Sequence, residues 1–210
     1  MICPYPIKFA RGLAEKEYVK NSEIVQKLEA TTASVARTLG KQVTFKFVDD
    51  ASLWLETQSE SRAFEAVFNS LYESLMHLIR NAVDHGIDQR GVVTVRASVD
   101  DTGAVCVEVS DNGKGIDAKR IRERAIQIDI LDPKTTIADQ SCLGFIFHPG
   151  FSTQDQITEI SGRGVGLAVV KSQIEKLDGR IELRTNSIYG TTFSLFVPLF
   201  RRDRSMKKAA

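Results

Sequence analysis

Residues 77–86 read His77-Leu78-Ile79-Arg80-Asn81-Ala82-Val83-Asp84-His85-Gly86. His77, Asn81 and Asp84 are spaced by four and three, so a helix would carry them on one face. The same helix, over 60–86, has an apolar stripe of Phe64, Val67, Leu71, Leu75, Leu78, Ile79 and Ala82, and Gly86 ends it. The polar strip lies beside that stripe. An amide, an imidazole and a carboxylate next to a core face are costly unless they border a wet site. Asn81 offers a hard carbonyl oxygen of the kind Mg²⁺ takes. His77 and His85 offer groups that titrate near neutrality. A solvent-facing helix with incidental histidines would account for the same letters.

Elements on either side frame this helix. Residues 1–20 have no clear period. Residues 22–39 place Ile24, Leu28, Thr32, Val35 and Leu39 near one helical face, with Gly40 as C-cap. Residues 42–48 alternate as a strand does, and 52–57 read as its hairpin partner after Asp49-Asp50. Beyond Gly86, strands are expected at 91–99 and 104–110 around the turn Asp100–Gly103. A short helix starts near Asp117, a suitable N-cap. Residues 127–162 are irregular and long enough to suggest a functional loop. A helix over 164–178, closed by Gly179, precedes strands at 180–186 and 191–199. This order predicts an α/β two-layer sandwich with helices on one face of the sheet, preceded by an N-terminal helix. There is no internal repeat.

Three further clusters carry chemistry. In Val107-Glu108-Val109-Ser110-Asp111-Asn112-Gly113-Lys114-Gly115-Ile116 a strand runs into a glycine turn, where backbone can approach a ligand closely. Asp111 at the strand end suits an amino group of adenine. Tight turns and calcium loops share the pattern. In Ser161-Gly162-Arg163-Gly164-Val165-Gly166-Leu167 glycines open a helix, whose N–H groups and dipole favour phosphate. In Gly190-Thr191-Thr192-Phe193 a turn glycine precedes hydroxyls, as in any ordinary hairpin.

Composition bounds the rest. The 210 residues correspond to one domain with appendages, at about 100–200 residues each. Hydrophobic residues make up 42% and charged residues 26%, enough apolar material for a core. The net charge of +1 gives no field to draw nucleic acid or an anionic membrane. The basic cluster at 201–210 reads as a solvated tail. Cys3, Cys106 and Cys142 have no metal-ligand spacing and fit free thiols in a cytoplasmic protein, with Cys106 in the core. Residues 1–18 lack a long apolar stretch, so no secretory leader is expected there, and no apolar run is long enough to insert into a membrane.

Taken in order, the asparagine helix, Asp-x-Gly-x-Gly, the long loop, the glycine-rich helix start and Gly-Thr resemble the Bergerat (GHKL) ATPase fold over residues 42–199. That superfamily has a mixed, mostly antiparallel sheet and includes gyrase, MutL and histidine kinases. His77 stands where most Bergerat proteins carry glutamate, and CheA-like histidine kinases carry histidine there. Pro149-Gly150-Phe151-Ser152-Thr153 and Ser161–Gly166 are similar to the same kinases, and 22–44 loosely resemble the end of their dimerisation helix. Two departures stand out. The loop after Gly86 is short, and His148 and Lys114 replace other residues.

The resemblance implies three segments. These are an N-terminal segment at 1–41, an ATP-binding domain at 42–200 with a lid at about 127–162, and a tail at 201–210. It implies ATP and Mg²⁺ as ligands, with Asn81 and His77 as catalytic and metal-side residues. Arg80, Asp84, His85, Asp111, Gly113, Gly115, Ile116, Ser152, Thr153, Gly162, Arg163, Gly164, Val165, Gly166 and Thr192 would surround the nucleotide. It implies a separate histidine phosphotransfer domain or protein as acceptor, a response regulator downstream, and pairing of 22–39 with a second copy. An ATP-binding regulator, an anti-sigma-type serine kinase and a non-catalytic ATP-binding module share most of these residues.

Overall fold

The computed structural model describes residues 23–51, 58–151 and 166–199. The elements run α1 (Glu23–Thr38), β1 (Gln42–Asp49), α2 (Gln58–Ser70), α3 (Tyr72–Asn81), a π turn (Ala82–Gly86), β2 (Arg90–Val99) and β3 (Ala104–Asp111). Next come α4 (Ala118–Gln127), α5 (Asp139–Cys142), a 3₁₀ turn (Leu143–Phe147), α6 (Leu167–Lys176), β4 (Arg180–Asn186) and β5 (Gly190–Pro198). The sheet has the order β1-β2-β3-β5-β4. Among the described residues only the β1–β2 pair is parallel; β2–β3, β3–β5 and β4–β5 are antiparallel.

Alternation along the strands explains the two layers. Val93, Val95, Val105, Val107, Val109, Phe193, Leu195, Ile181 and Leu183 face the helices. The opposite residues carry charge: Arg184 pairs with Glu108 at 2.5 Å, Arg180 with Glu182 at 3.0 Å, and Arg96 with Asp50. Cys106 lies on this outer face, beside Ser98 and Phe196, and not in the helix-covered core as its apolar surroundings suggested. It is buried all the same, and burial pushes its thiol up to about 11. Cys106 and Cys142 are free thiols.

The strand expected at 52–57 lies outside the described residues; among the described strands β1 pairs with β2, in parallel. Other expectations are revised. The long helix expected over 60–86 is interrupted at Leu71, where the Ser70 hydroxyl donates to the Val67 carbonyl at 2.6 Å. It ends as a π turn, in which the Ile87 amide reaches back to the Ala82 carbonyl at 2.9 Å. Phe68, absent from the expected stripe, is fully buried and stacks on Phe64 with centroids 6.0 Å apart. The last helix, expected to run to 178, ends at Lys176, and Asp178, with φ 58°, makes the left-handed turn before Gly179.

Helix α1 buries Val25, Leu28, Thr32 and Ala36 within the chain, alongside α3 and β1. This apolar face of α1 is covered by the domain itself. The irregular stretch after Gln127 is partly anchored, because Leu131, Cys142, Leu143 and Ile146 are buried. Phe147 meets Phe193 edge-on at 6.3 Å. No helix among the described residues is long and apolar enough to cross a membrane.

Candidate nucleotide site

The site forms where β3 and β5 end against the π turn. The inner row of the sheet closes with Val93, Asp111, Thr191 and Thr185, which are register neighbours. Asp111 is 7% exposed. Its Oδ1 accepts the Gly113 amide at 2.9 Å, and the Thr191 amide also bonds it. Burial raises its pKa above the usual carboxylate range, and the two amides only partly offset this.

Glycines wall this carboxylate. A Cβ on Gly86 would come within 2.9 Å of the Asp111 carboxyl carbon. A Cβ on Gly113 would collide with the Gly86 carbonyl, and one on Gly190 with the Asp111 carbonyl. Gly115 adopts φ +73°, and a Cβ there would strike Asn186. Ile116 follows with its amide on Thr185 Oγ1 at 2.8 Å. Thr185 and Thr191 hydroxyls are 3.2 Å apart. Thr185 and Thr191 were missed in the sequence, and parity explains why. Thr192, expected at the site, points to the outer face and hydrogen-bonds Ser110 at 3.0 Å. Counting alternation back from Asp111 through the hairpin would have selected Thr191.

Helix α3 delivers the other residues. It carries His77, Arg80 and Asn81, and the π turn that follows brings Gly86 against Asp111. His77 is half-buried, and its pKa is lowered by burial first and by Arg80 second, with Glu73 opposing. Arg80 is exposed and Asn81 partly buried. Asp84 and His85 fall within the π turn, so they leave the α-helical phase that the spacing assumed. They face each other at 3.6 Å. His148 is exposed beside the Pro149 carbonyl. Gly166 is the N-cap of α6 with ordinary φ, and its neighbourhood is open, the nearest atom to an added Cβ being 3.9 Å away. Ser152, Thr153, Gly162, Arg163, Gly164 and Val165 lie outside the described residues. Among the described residues no three His, Cys, Asp or Glu side chains gather as a metal cluster.

The profile of the histidine kinase-, DNA gyrase B- and HSP90-like ATPases matches residues 67–201. The chain belongs to this family. Within it, the chain is a CheA-like ATP-binding domain of the histidine-kinase type. It is 34% identical over 187 residues to chemotaxis protein CheA of Rhizobium meliloti (strain 1021), covering 84% of this chain and 23% of that protein. It is 32% identical over 194 residues to CheA of Halobacterium salinarum, covering 86% of this chain and 28% of that protein. To the gliding motility regulatory protein of Myxococcus xanthus it is 30% identical over 204 residues, covering 91% and 25%. The chain thus spans about a quarter of the length of these relatives. Among solved structures, the mycobacterial sensor histidine kinase MprB aligns with a TM-score of 0.48 at 18% identity, covering 83% of this chain and 93% of that one.

Proposed function

We propose that this domain binds Mg·ATP and serves as the catalytic part of a cytoplasmic CheA-like two-component kinase. The γ-phosphoryl group would pass to a histidine on a separate phosphotransfer domain or protein, with a response regulator downstream. The observation that carries the reading is the buried Asp111 carboxylate, walled by Gly86, Gly113 and Gly190. A carboxylate held there can accept a hydrogen bond from an exocyclic amine such as that of adenine, and the glycines let the π turn, the Asp111 loop and the β5 hairpin close tightly round it. Thr191 and Thr185 add hydroxyls on the same face.

Asn81 would hold Mg²⁺ through its carbonyl oxygen, and the ion when bound would neutralise phosphate charge. His77 has a lowered pKa and is therefore mostly neutral at physiological pH. A neutral imidazole can accept a proton from, or orient, the incoming acceptor. Arg80 and His85 are proposed phosphate contacts. The open N-terminus of α6 at Gly166 suits phosphate oxygens, together with Gly162, Gly164 and Val165 in the preceding loop. Residues 127–162 are proposed to close over the nucleotide.

The test is incubation of the chain with γ-labelled ATP, Mg²⁺ and candidate phosphotransfer domains. Label on the acceptor that is lost in acid and survives alkali supports histidine transfer. Acid-stable label on serine would replace this reading with a serine kinase. Asn81→Ala should abolish Mg²⁺-dependent ATP binding by calorimetry, and unchanged affinity would remove Asn81 from the site.

A further inference from the structure

The last carbonyls of a helix have no partner within it. In the π turn nearly all of them are met from elsewhere. Ala82 O keeps the turn's own bond, from the Ile87 amide, whereas Gly86 O takes the Lys114 amide at 3.0 Å. The carbonyls of Val83, Asp84 and Ile87 converge on one atom, Lys41 Nζ, at 2.8, 2.6 and 2.7 Å. An ammonium has three N–H donors in a tetrahedral array, and here it meets three acceptors. Its charge also lies at the negative end of the helix dipole.

Lys41 is itself held at both sides. Gly40, with φ +65°, ends α1 in a left-handed turn. The Lys41 amide returns to Ala36 O at 2.8 Å and the Gly40 amide to Arg37 O at 3.2 Å, the paired bonds of a Schellman motif. One residue on, the Gln42 amide bonds Gln89 O at 2.8 Å and starts the β1–β2 ladder. The side chain therefore leaves a fixed backbone and ends on the turn that sets Gly86 against Asp111.

We propose that Lys41 is a positioning residue for the nucleotide site, clamping the π turn so that Asn81 and Gly86 keep their places and tying them to the exit of α1. Lys41 touches neither Asp111 nor Asn81 and acts through the turn's carbonyls. The proposal rests on the ATP-binding reading given above.

The test uses the full chain. Lys41→Met keeps the aliphatic stem and removes all three donors. Its Kd for Mg·ATP should rise about tenfold, because three charge-assisted bonds to the turn are lost. Lys41→Arg keeps the charge but offers a planar fork, so its Kd should fall between the two. Ile181→Ala, in β4, lowers the melting temperature without touching the π turn and should leave the Kd within about twofold. Hydrogen exchange gives an arm without nucleotide. The amides of Ile87 and Lys114 should exchange about tenfold faster in Lys41→Met, with Phe193 in β5 unchanged. Nucleotide affinity in Lys41→Met no weaker than in Ile181→Ala, or unchanged exchange at Ile87, overturns the proposal. If wild-type protein does not bind Mg·ATP, the functional reading fails and the exchange arm alone decides the clamp.

Discussion

Asp111 pays for its position with its ionisation. A carboxyl whose folded pKa is raised stabilises the fold in its protonated form. That contribution is whole below the ordinary value of 3.8 and is lost as pH rises through the higher folded value. Relative to Asp111→Asn, wild-type protein should therefore lose melting temperature as pH rises above the ordinary carboxylate value of 3.8 in calorimetric scans. A parallel dependence in both proteins would mean that burial is not straining the charge. The same substitution should weaken ATP far more than tripolyphosphate, because only ATP presents an amine. His77 shifts the other way. Its NMR titration should have a midpoint below 6.5. Arg80→Gln should move it upward but keep it below 6.5, since burial is the larger cause. A wild-type midpoint at or above 6.5 would contradict a neutral imidazole. Asp111 was legible from its place at a strand end before two glycines. Thr191 was not, because choosing between adjacent threonines requires the register of a cross-strand pair.

Among the elements, the strands of the two hairpins were readable because alternation and a turn are local. The sheet partner of β1 was not, because periodicity encodes which face a strand buries and is silent on its neighbour. The π turn has no composition of its own, and the helix before it reads as continuous. Glycines divide by what surrounds them. Gly113→Ala should cost about 1–3 kcal/mol or more in denaturant melts, since its Cβ would collide with the Gly86 carbonyl. Gly166→Ala should cost about 1 kcal/mol or less, as the space there is open and only an N-cap preference is lost. Equal losses would mean that the contact between the π turn and the Asp111 loop yields more easily than its geometry implies.

For the molecule as a whole, α1 decides how much of the chain is one folding unit. Leu28, on α1, is fully buried in the core of the domain, so Leu28→Ala should lower stability by about 2–5 kcal/mol in a single transition. An unchanged melting temperature would show that α1 is an independent appendage. The two-layer architecture was legible from element order. The link from α1 to the π turn through Lys41 was not, since its acceptors are backbone carbonyls far along the chain. The parallel β1–β2 pair has a further consequence. No hairpin can close it, and its connection contains α2, α3 and the π turn. Loop-closure entropy favours zipping the short β2–β3 and β4–β5 turns before this long crossover. Docking of β1 on β2 then follows the hairpins, and it carries the asparagine helix with it, because α3 lies within that connection.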